Sequence, residues 1–213
     1  MRPGKIFIVS GPTGVGKTTV CSRLVATHAK TIRRIVTATT RLPRPGEIDG
    51  VDYCFLDELT FLRHIAENKF LEYANVHKKY YYGTPVSQVI SNIRHGIDSL
   101  LVVDIQGMLT IKKRFAPYST QIATIFIMPE NLQTLEDRLA TRATETAEER
   151  NRRMRSAENE INYSRYYDYV IVSGTKEEDF LSLEKIYNIE SAKQFCPRCA
   201  TRLLFRPQLS YAL

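Results

Sequence analysis

Eight consecutive residues, Gly11-Pro12-Thr13-Gly14-Val15-Gly16-Lys17-Thr18, form a G-x-x-x-x-G-K-[ST] run. Residue types in this order bind a polyphosphate. Glycines let successive backbone N–H groups turn inward around phosphate oxygens, and a following helix start adds partial positive charge. Lys17 is expected to reach the β and γ phosphates and the Thr18 hydroxyl to ligate Mg²⁺, with Thr19 completing the cradle. The motif specifies a nucleoside triphosphate site without naming a reaction. No Asn-Lys-x-Asp guanine-reading run occurs in the chain, which weighs against a GTPase.

A second group begins at Arg41. The run Arg41-Leu42-Pro43-Arg44-Pro45-Gly46 places two arginines three apart on a Pro-restrained loop, and Tyr53 follows. Two guanidinium forks and a phenol hydroxyl suit the oxygens of a phosphate monoester. A third group is the set Arg138, Arg142, Arg150, Arg152, Arg153 and Arg155, set against Glu145, Glu148 and Glu149. On a helical hairpin such charge is mostly a solvated face, the reading given to Arg150, Arg152 and Arg155.

These groups need a scaffold. Short β-branched runs at residues 6–9, 32–37, 100–103, 122–127 and 169–172 read as strands, and four of the five are almost wholly apolar, which predicts burial on both faces of a largely parallel sheet. Helical patterns fill residues 17–29, 105–115, 131–142, 147–163 and 177–189; Ala147, Met154, Ala157 and Ile161, for instance, share one face. The class is α/β, doubly wound, with a five-stranded core sheet flanked by helices. The phosphate loop falls directly after the first strand and opens the first helix, the context its motif requires. Residues 37–86 break the alternation with turn-rich and aromatic segments and read as a small β-rich insertion.

The segment Thr39 to Tyr53 matches T-T-R-x-P-R-x-G-E-x-x-G-x-D-Y, and here the chain resembles the guanylate kinases. The resemblance continues through Phe70-Leu71-Glu72, Tyr81-Tyr82-Gly83-Thr84, Asp104-Ile105-Gln106-Gly107, Arg138-Leu139 with Arg142, and Asn151-Arg152-Arg153. With the phosphate loop these are seven pieces in order, spanning residues 4–190. The resemblance implies a P-loop NTPase fold with a core of residues 1–36, 87–137 and 159–190, an inserted GMP-binding lobe at 37–86 and a helical lid at 138–158. It implies that Arg41, Arg44, Tyr53 and Tyr82 hold the GMP phosphate, while Glu72, Thr37, Thr84 and Asp104 surround the guanine. It places Arg142 and Arg153 in the lid over ATP, Arg138 beside the adenine, and Mg²⁺ at Thr18 and Asp104, partly through water. Lys17, Arg41, Arg142, Arg153 and Asp104 are then the catalytic set.

The implied reaction is ATP + GMP ⇌ ADP + GDP, with dGMP as a further acceptor, a step of purine nucleotide metabolism. Guanine offers N1–H and a 2-amino group side by side, which one carboxylate accepts as a pair; adenine offers neither. A buried Glu72 left without both partners gives discrimination on the order of 10⁴. No general base is required, because the attacking phosphate oxygen is already anionic and the task is alignment and charge stabilisation. Two other readings are a guanylate-kinase-like protein-interaction module without catalysis and a P-loop kinase for another nucleoside monophosphate. Interaction modules tend to lose the loop lysine and lid arginines, and all are present here.

Three positions depart from the family pattern. Val102 stands where a second acid usually lies two residues before Asp104, Ser173-Gly174 lies near where the family commonly has Val-Asn-Asp, and one extra residue falls among His77, Lys78, Lys79 and Tyr80. Beyond the resemblance, Cys196-Pro197-Arg198-Cys199 supplies two of the four ligands zinc needs. It reads as half a zinc site completed by a second subunit or by distant His residues, as a flexible basic tail, or as a redox-sensitive pair, and takes no catalytic role.

The 213 residues allow one domain with insertions or a small appendage. With 43% hydrophobic and 25% charged residues the chain has the composition of a folded globular protein. It lacks any run near the ~18 apolar residues of a membrane span. Residues 185–213 hold +4 of the net charge of +7, so the body does not read as a nucleic-acid binder. Four cysteines without a framework pattern fit a reducing compartment, and the expected location is cytoplasmic.

Overall fold

Strand-forming sequence lies at the centre of the molecule because it is apolar on both sides. A computed structural model describes the backbone of residues 2–76, 79–116, 121–140 and 147–193, and the side chains of these apart from 137–140 and 147–153. In chain order the elements are β1 (Ile6–Ser10), α1 (Lys17–Thr27), β2 (Ile32–Arg34), β3 (Ala38–Thr39), β4 (Cys54–Phe55), α2 (Glu58–Ala66), β5 (Phe70–Val76), β6 (Tyr80–Pro85), α3 (Val86–Arg94), β7 (Asp98–Val102), α4 (Ile105–Arg114), β8 (Ile122–Pro129), α5 (Leu132–Ala140), α6 (Ala147–Ile161), β9 (Tyr169–Ser173) and α7 (Lys176–Ala192).

Five strands form one parallel sheet in the order β2-β7-β1-β8-β9. Every residue of β1 is buried, and the two-residue period divides them. Phe7 and Val9 join Val20, Leu24, Phe180 and Leu183 on the α1 and α7 side. Ile6 and Ile8 join Val89, Ile93, Met108 and Ile111 on the α3 and α4 side. This two-layered core is the doubly wound α/β architecture.

A second sheet, ordered β4-β3-β6-β5, is built from the expected insertion and has its own small core of Ala38, Phe61 and Phe70. The β5–β6 hairpin is antiparallel, with a register shift between Phe70 and Glu72.

The fold differs from the sequence expectations at four points. β2 ends at Arg34 rather than at residue 37, because the chain leaves the main sheet after Ile35 to enter the second one. β9 is apolar yet covered on one face only: it is an edge strand, and Val170 and Val172 are 44% and 56% exposed. α2 lies within the segment read as β-rich. Asp57 caps it, accepting from Thr60 N at 2.8 Å, and Phe61 anchors it in the small core. α3, also absent from the sequence reading, buries Val89 and Ile93 at a four-residue spacing.

Candidate active site

The phosphate loop joins β1 to α1. Gly11, Gly14 and Gly16 have φ of 146°, 94° and 107°, a backbone region that side chains oppose. At Gly11 the approach is also close, since a Cβ there would lie 2.2 Å from the Ile127 carbonyl oxygen. Gly16 occupies the N-cap position of α1 with no side-chain cap, so the first N–H groups of that helix are not taken up by a capping side chain. Val15 is buried and pins the loop to the core. Pro12 starts the turn, accepting from Val15 N at 3.3 Å, and Thr13, Thr18 and Thr19 are exposed around it. Lys17 Nζ donates to the carbonyl oxygens of Gly11 and Pro12 at 2.5 and 2.9 Å, folded over the loop it is expected to serve.

Behind the loop, the Ser173-Gly174 departure has a structural role. Ser173 Oγ and Gly174 N donate to the two carboxylate oxygens of Asp179, each at 2.8 Å, and Ser173 Oγ also reaches Val15 O at 3.4 Å. Asp179 on α7 thus supports the loop from below.

The second sheet carries the other group. Arg41 forms a bidentate pair with Glu47 at 2.8 and 2.9 Å, and its Nε donates to the Tyr82 hydroxyl at 3.3 Å. Its guanidinium lies 5.2 Å from the centre of the Tyr53 ring, and the Tyr53 and Tyr82 rings meet edge to face at 6.0 Å. Glu47 also accepts from Arg44 N at 2.7 Å, while the Arg44 side chain is exposed. The Arg41 pairing holds the Glu47 carboxyl below its ordinary value and the guanidinium above its own. Burial pushes the Tyr53 hydroxyl up, so the phenol stays a donor.

Tyr82 and Thr84 are two apart on β6, hence on one face, about 7 Å apart along the strand. Thr84 pairs in register with Glu72 and donates its hydroxyl to Glu72 Oε1 at 2.6 Å. Glu72 is only 5% exposed. Burial pushes its carboxyl up to about 7; the Thr84 bond offsets part of this and Asp104 adds to it. Thr37 directly precedes Ala38, the register partner of Gly83, which sets it alongside Thr84. Asp104 caps α4, accepting from Gly107 N at 2.8 Å, and Gly107 packs so near Glu72 that a Cβ would stand 3.0 Å from its Oε2.

Thr18 and Asp104 are oxygen donors of the kind Mg²⁺ takes. Asp104 gives one oxygen to its helix cap, and a Mg²⁺ site built mainly from phosphates and water needs no more than one or two such ligands. Among the described residues no three His, Cys, Asp or Glu side chains converge on a metal site.

The structure therefore brings together Arg41, Tyr53 and Tyr82, with Arg44 on the same loop, and separately Glu72, Thr84 and Asp104, with Thr37 at their edge. Arg138 and Arg153 lie on α5 and α6, but their side chains, like Arg142, Cys196, Cys199, His77 and Lys78, fall outside the described residues. Sequence reasoning gave no role to Glu47, although it sits six residues after Arg41 in the quoted run. It also missed Glu160 on α6. Burial pushes that carboxyl up, Ser156 donates to it at 3.0 Å, Lys17 opposes the shift and Asp104 reinforces it.

A phosphate loop between the first strand and helix of a parallel α/β sheet, with a second sheet that carries an arginine–tyrosine cluster and a buried carboxylate, defines the class: a P-loop NTPase fold with an inserted second sheet. A family model described as "Guanylate kinase" matches residues 3–190. A guanylate kinase of Rickettsia typhi is 38% identical over 192 residues, covering 90% of this chain and 94% of that protein. Another, of Caldanaerobacter subterraneus subsp. tengcongensis, is 41% identical over 172 residues, 81% of each. The crystal structure of guanylate kinase from Anaplasma phagocytophilum superposes with a TM-score of 0.73 at 31% identity, covering 90% of this chain and 88% of that one. The chain belongs to the guanylate kinase family. Among the described residues no helix is long and apolar enough to cross a membrane.

Proposed function

We propose that this protein transfers the γ-phosphoryl group of ATP to GMP, forming ADP and GDP, with dGMP as a second acceptor. The observation that carries the acceptor assignment is the buried Glu72, paired with Thr84 on the face that also bears Tyr82. Glu72 accepts the guanine N1–H and 2-amino group, and Thr37, Thr84 and Asp104 border the base. Arg41, Arg44, Tyr53 and Tyr82 hold the acceptor phosphate, with Arg41 fixed in place by Glu47.

Residues 11–19 wrap the triphosphate, and Lys17 leaves its loop carbonyls for the transferring group. Arg142 and Arg153, on a lid spanning 138–158, and Arg138 near the adenine complete the donor side. Thr18 and Asp104 would hold Mg²⁺ from the protein side, and the metal bound with ATP would supply charge neutralisation on the phosphates. The chain's own residues align an anionic acceptor oxygen and exclude water; no protein base withdraws a proton. In this reading residues 37–86 are the acceptor lobe, residues 1–36, 87–137 and 159–190 the core, and 191–213 an appended tail. The cytoplasm is the proposed location.

The test is ADP release with Mg-ATP and a panel of GMP, dGMP, AMP, CMP and UMP. GMP is expected to be used best, and Glu72→Gln to reduce kcat/KM for GMP by about 10²-fold or more, the scale of a lost charged hydrogen-bond pair. Preference for AMP or a pyrimidine nucleotide, or unaltered GMP efficiency in Glu72→Gln, rejects the assignment; no turnover with any acceptor favours an interaction module.

A further inference from the structure

The register shift between Phe70 and Glu72 sets two residues of β5 against one step of β6, from Pro85 to Thr84, a β-bulge centred on Leu71. A bulge disrupts the ladder locally and re-aims the side chain beside it. Here the side chain beside it is Glu72. The carbonyl oxygens at the bulge are taken from outside the sheet: Arg114 Nη1, from the last residue of α4, donates to Phe70 O at 3.1 Å and Leu71 O at 2.6 Å.

Gly107, Ile111 and Arg114 are four and three residues apart and so lie on one face of α4. That face meets β5 at three successive residues. Gly107 abuts the Glu72 carboxylate, Ile111 and Met108 share a buried cluster with Leu71, and Arg114 grips the backbone of Phe70 and Leu71. The small core of the second sheet holds Phe70 by its ring, stacked on Phe61.

We infer that Arg114 is a positioning residue for guanine recognition: by holding the bulged carbonyls of Phe70 and Leu71 it fixes the direction in which Glu72 points, so base selectivity is set partly from a core helix outside the acceptor lobe. The inference rests on the role given to Glu72 above. Both bonds come from one terminal nitrogen, Nη1, whose N–H groups are fixed in the guanidinium plane, whereas an ammonium on a flexible stem carries rotatable donors and sets no such direction.

The experiment compares wild type, Arg114→Met, Arg114→Lys and Glu72→Gln, measuring kcat and both KM values with GMP and with IMP, which keeps N1–H and lacks the 2-amino group. In Arg114→Met, KM for GMP is expected to rise about tenfold or more, KM for ATP to stay within twofold, and the preference for GMP over IMP to fall at least fivefold. Arg114→Lys is expected to recover part of both losses. A purely structural role would lower activity with both acceptors alike and leave their ratio unchanged, and that result overturns the proposal. If Arg114→Met does not fold, Arg114→Lys carries the same comparison: a reduced GMP/IMP ratio supports the proposal and a wild-type ratio overturns it. Glu72→Gln separates the two ideas. If it leaves GMP use intact, the Glu72 assignment fails; if it impairs GMP use while Arg114→Met and Arg114→Lys keep the wild-type ratio, only the role of Arg114 fails.

Discussion

Glu72 is held in a site that disfavours its charge. Burial pushes its carboxyl from the ordinary 4.5 up to about 7, while two N–H donors from guanine would favour the ionised form. GMP binding below that pH therefore expels a proton, and KM for GMP is expected to rise as pH falls from 8 to 5.5. The second ionisation of the phosphate, near a pKa of about 6, contributes to the same rise. The part belonging to Glu72 is what disappears in Glu72→Gln, and pH profiles of the two proteins with ATP saturating separate them. Stability has a matching sign. Between pH 4.5 and about 7 the folded protein binds more protons than the unfolded chain, so the contribution of Glu72 to stability falls as pH rises through that window. Calorimetry on Glu72→Gln should show that slope removed.

Under the proposed assignment, Glu47 acts one step from the substrate, through Arg41. Glu47→Gln keeps the shape and loses the bidentate charge, and KM for GMP is expected to rise about 10-fold with KM for ATP unchanged, on the scale of a charged hydrogen bond. On the donor side Lys17→Met should reduce kcat by about 10²- to 10³-fold, the range seen when one donor to the developing charge is removed. Steady-state kinetics at saturating GMP measures it.

At the scale of elements, the phosphate loop illustrates how a backbone conformation can be required rather than preferred. Gly11 combines a φ of 146° with a 2.2 Å approach to Ile127 O, and neither can be relieved by a side-chain rotation. Gly11→Ala is expected to abolish ATP binding in a folded protein, read by equilibrium binding of a fluorescent ATP analogue alongside circular dichroism. α7 shows a local signal of the ordinary kind. Thr175 and Glu178 form a capping box, so Thr175→Ala should cost about 1 kcal/mol and lower Tm by roughly 2–4 °C without altering kinetics. The β1, β7 and β8 strands were legible because a doubly buried strand is a run of apolar residues. α2 and α3 were not, because nine-residue helices with one buried side chain in α2 and three in α3 give too short a pattern to stand apart from an apolar β-rich stretch.

For the whole molecule, the ends of the described chain are tied together. Lys5, just before β1, is 2% exposed and donates to Glu190 at 3.0 Å, and Glu190 also accepts from the Tyr169 hydroxyl at 2.6 Å and from Lys193. The pair joins the central strand to the last helix, and contacts at this distance in sequence are invisible to periodicity. Glu177 and Arg23 join α7 to α1 in the same way at the surface.

What the sequence determined by itself was the phosphate loop, the arginine–tyrosine run at Arg41 to Tyr53 and the apolar strands of the main sheet, while Glu72 was singled out by the family resemblance. These are legible because a glycine-lysine cradle and a buried parallel strand are each specified by short-range sterics and burial. The tertiary structure alone decided how Glu72 meets Thr84 and Gly107, how Arg41 is anchored between Glu47 and Tyr82, and how Arg114 reaches the bulge of β5. Each of those depends on register and helix packing, where a shift of one residue would turn the same side chains to the opposite face.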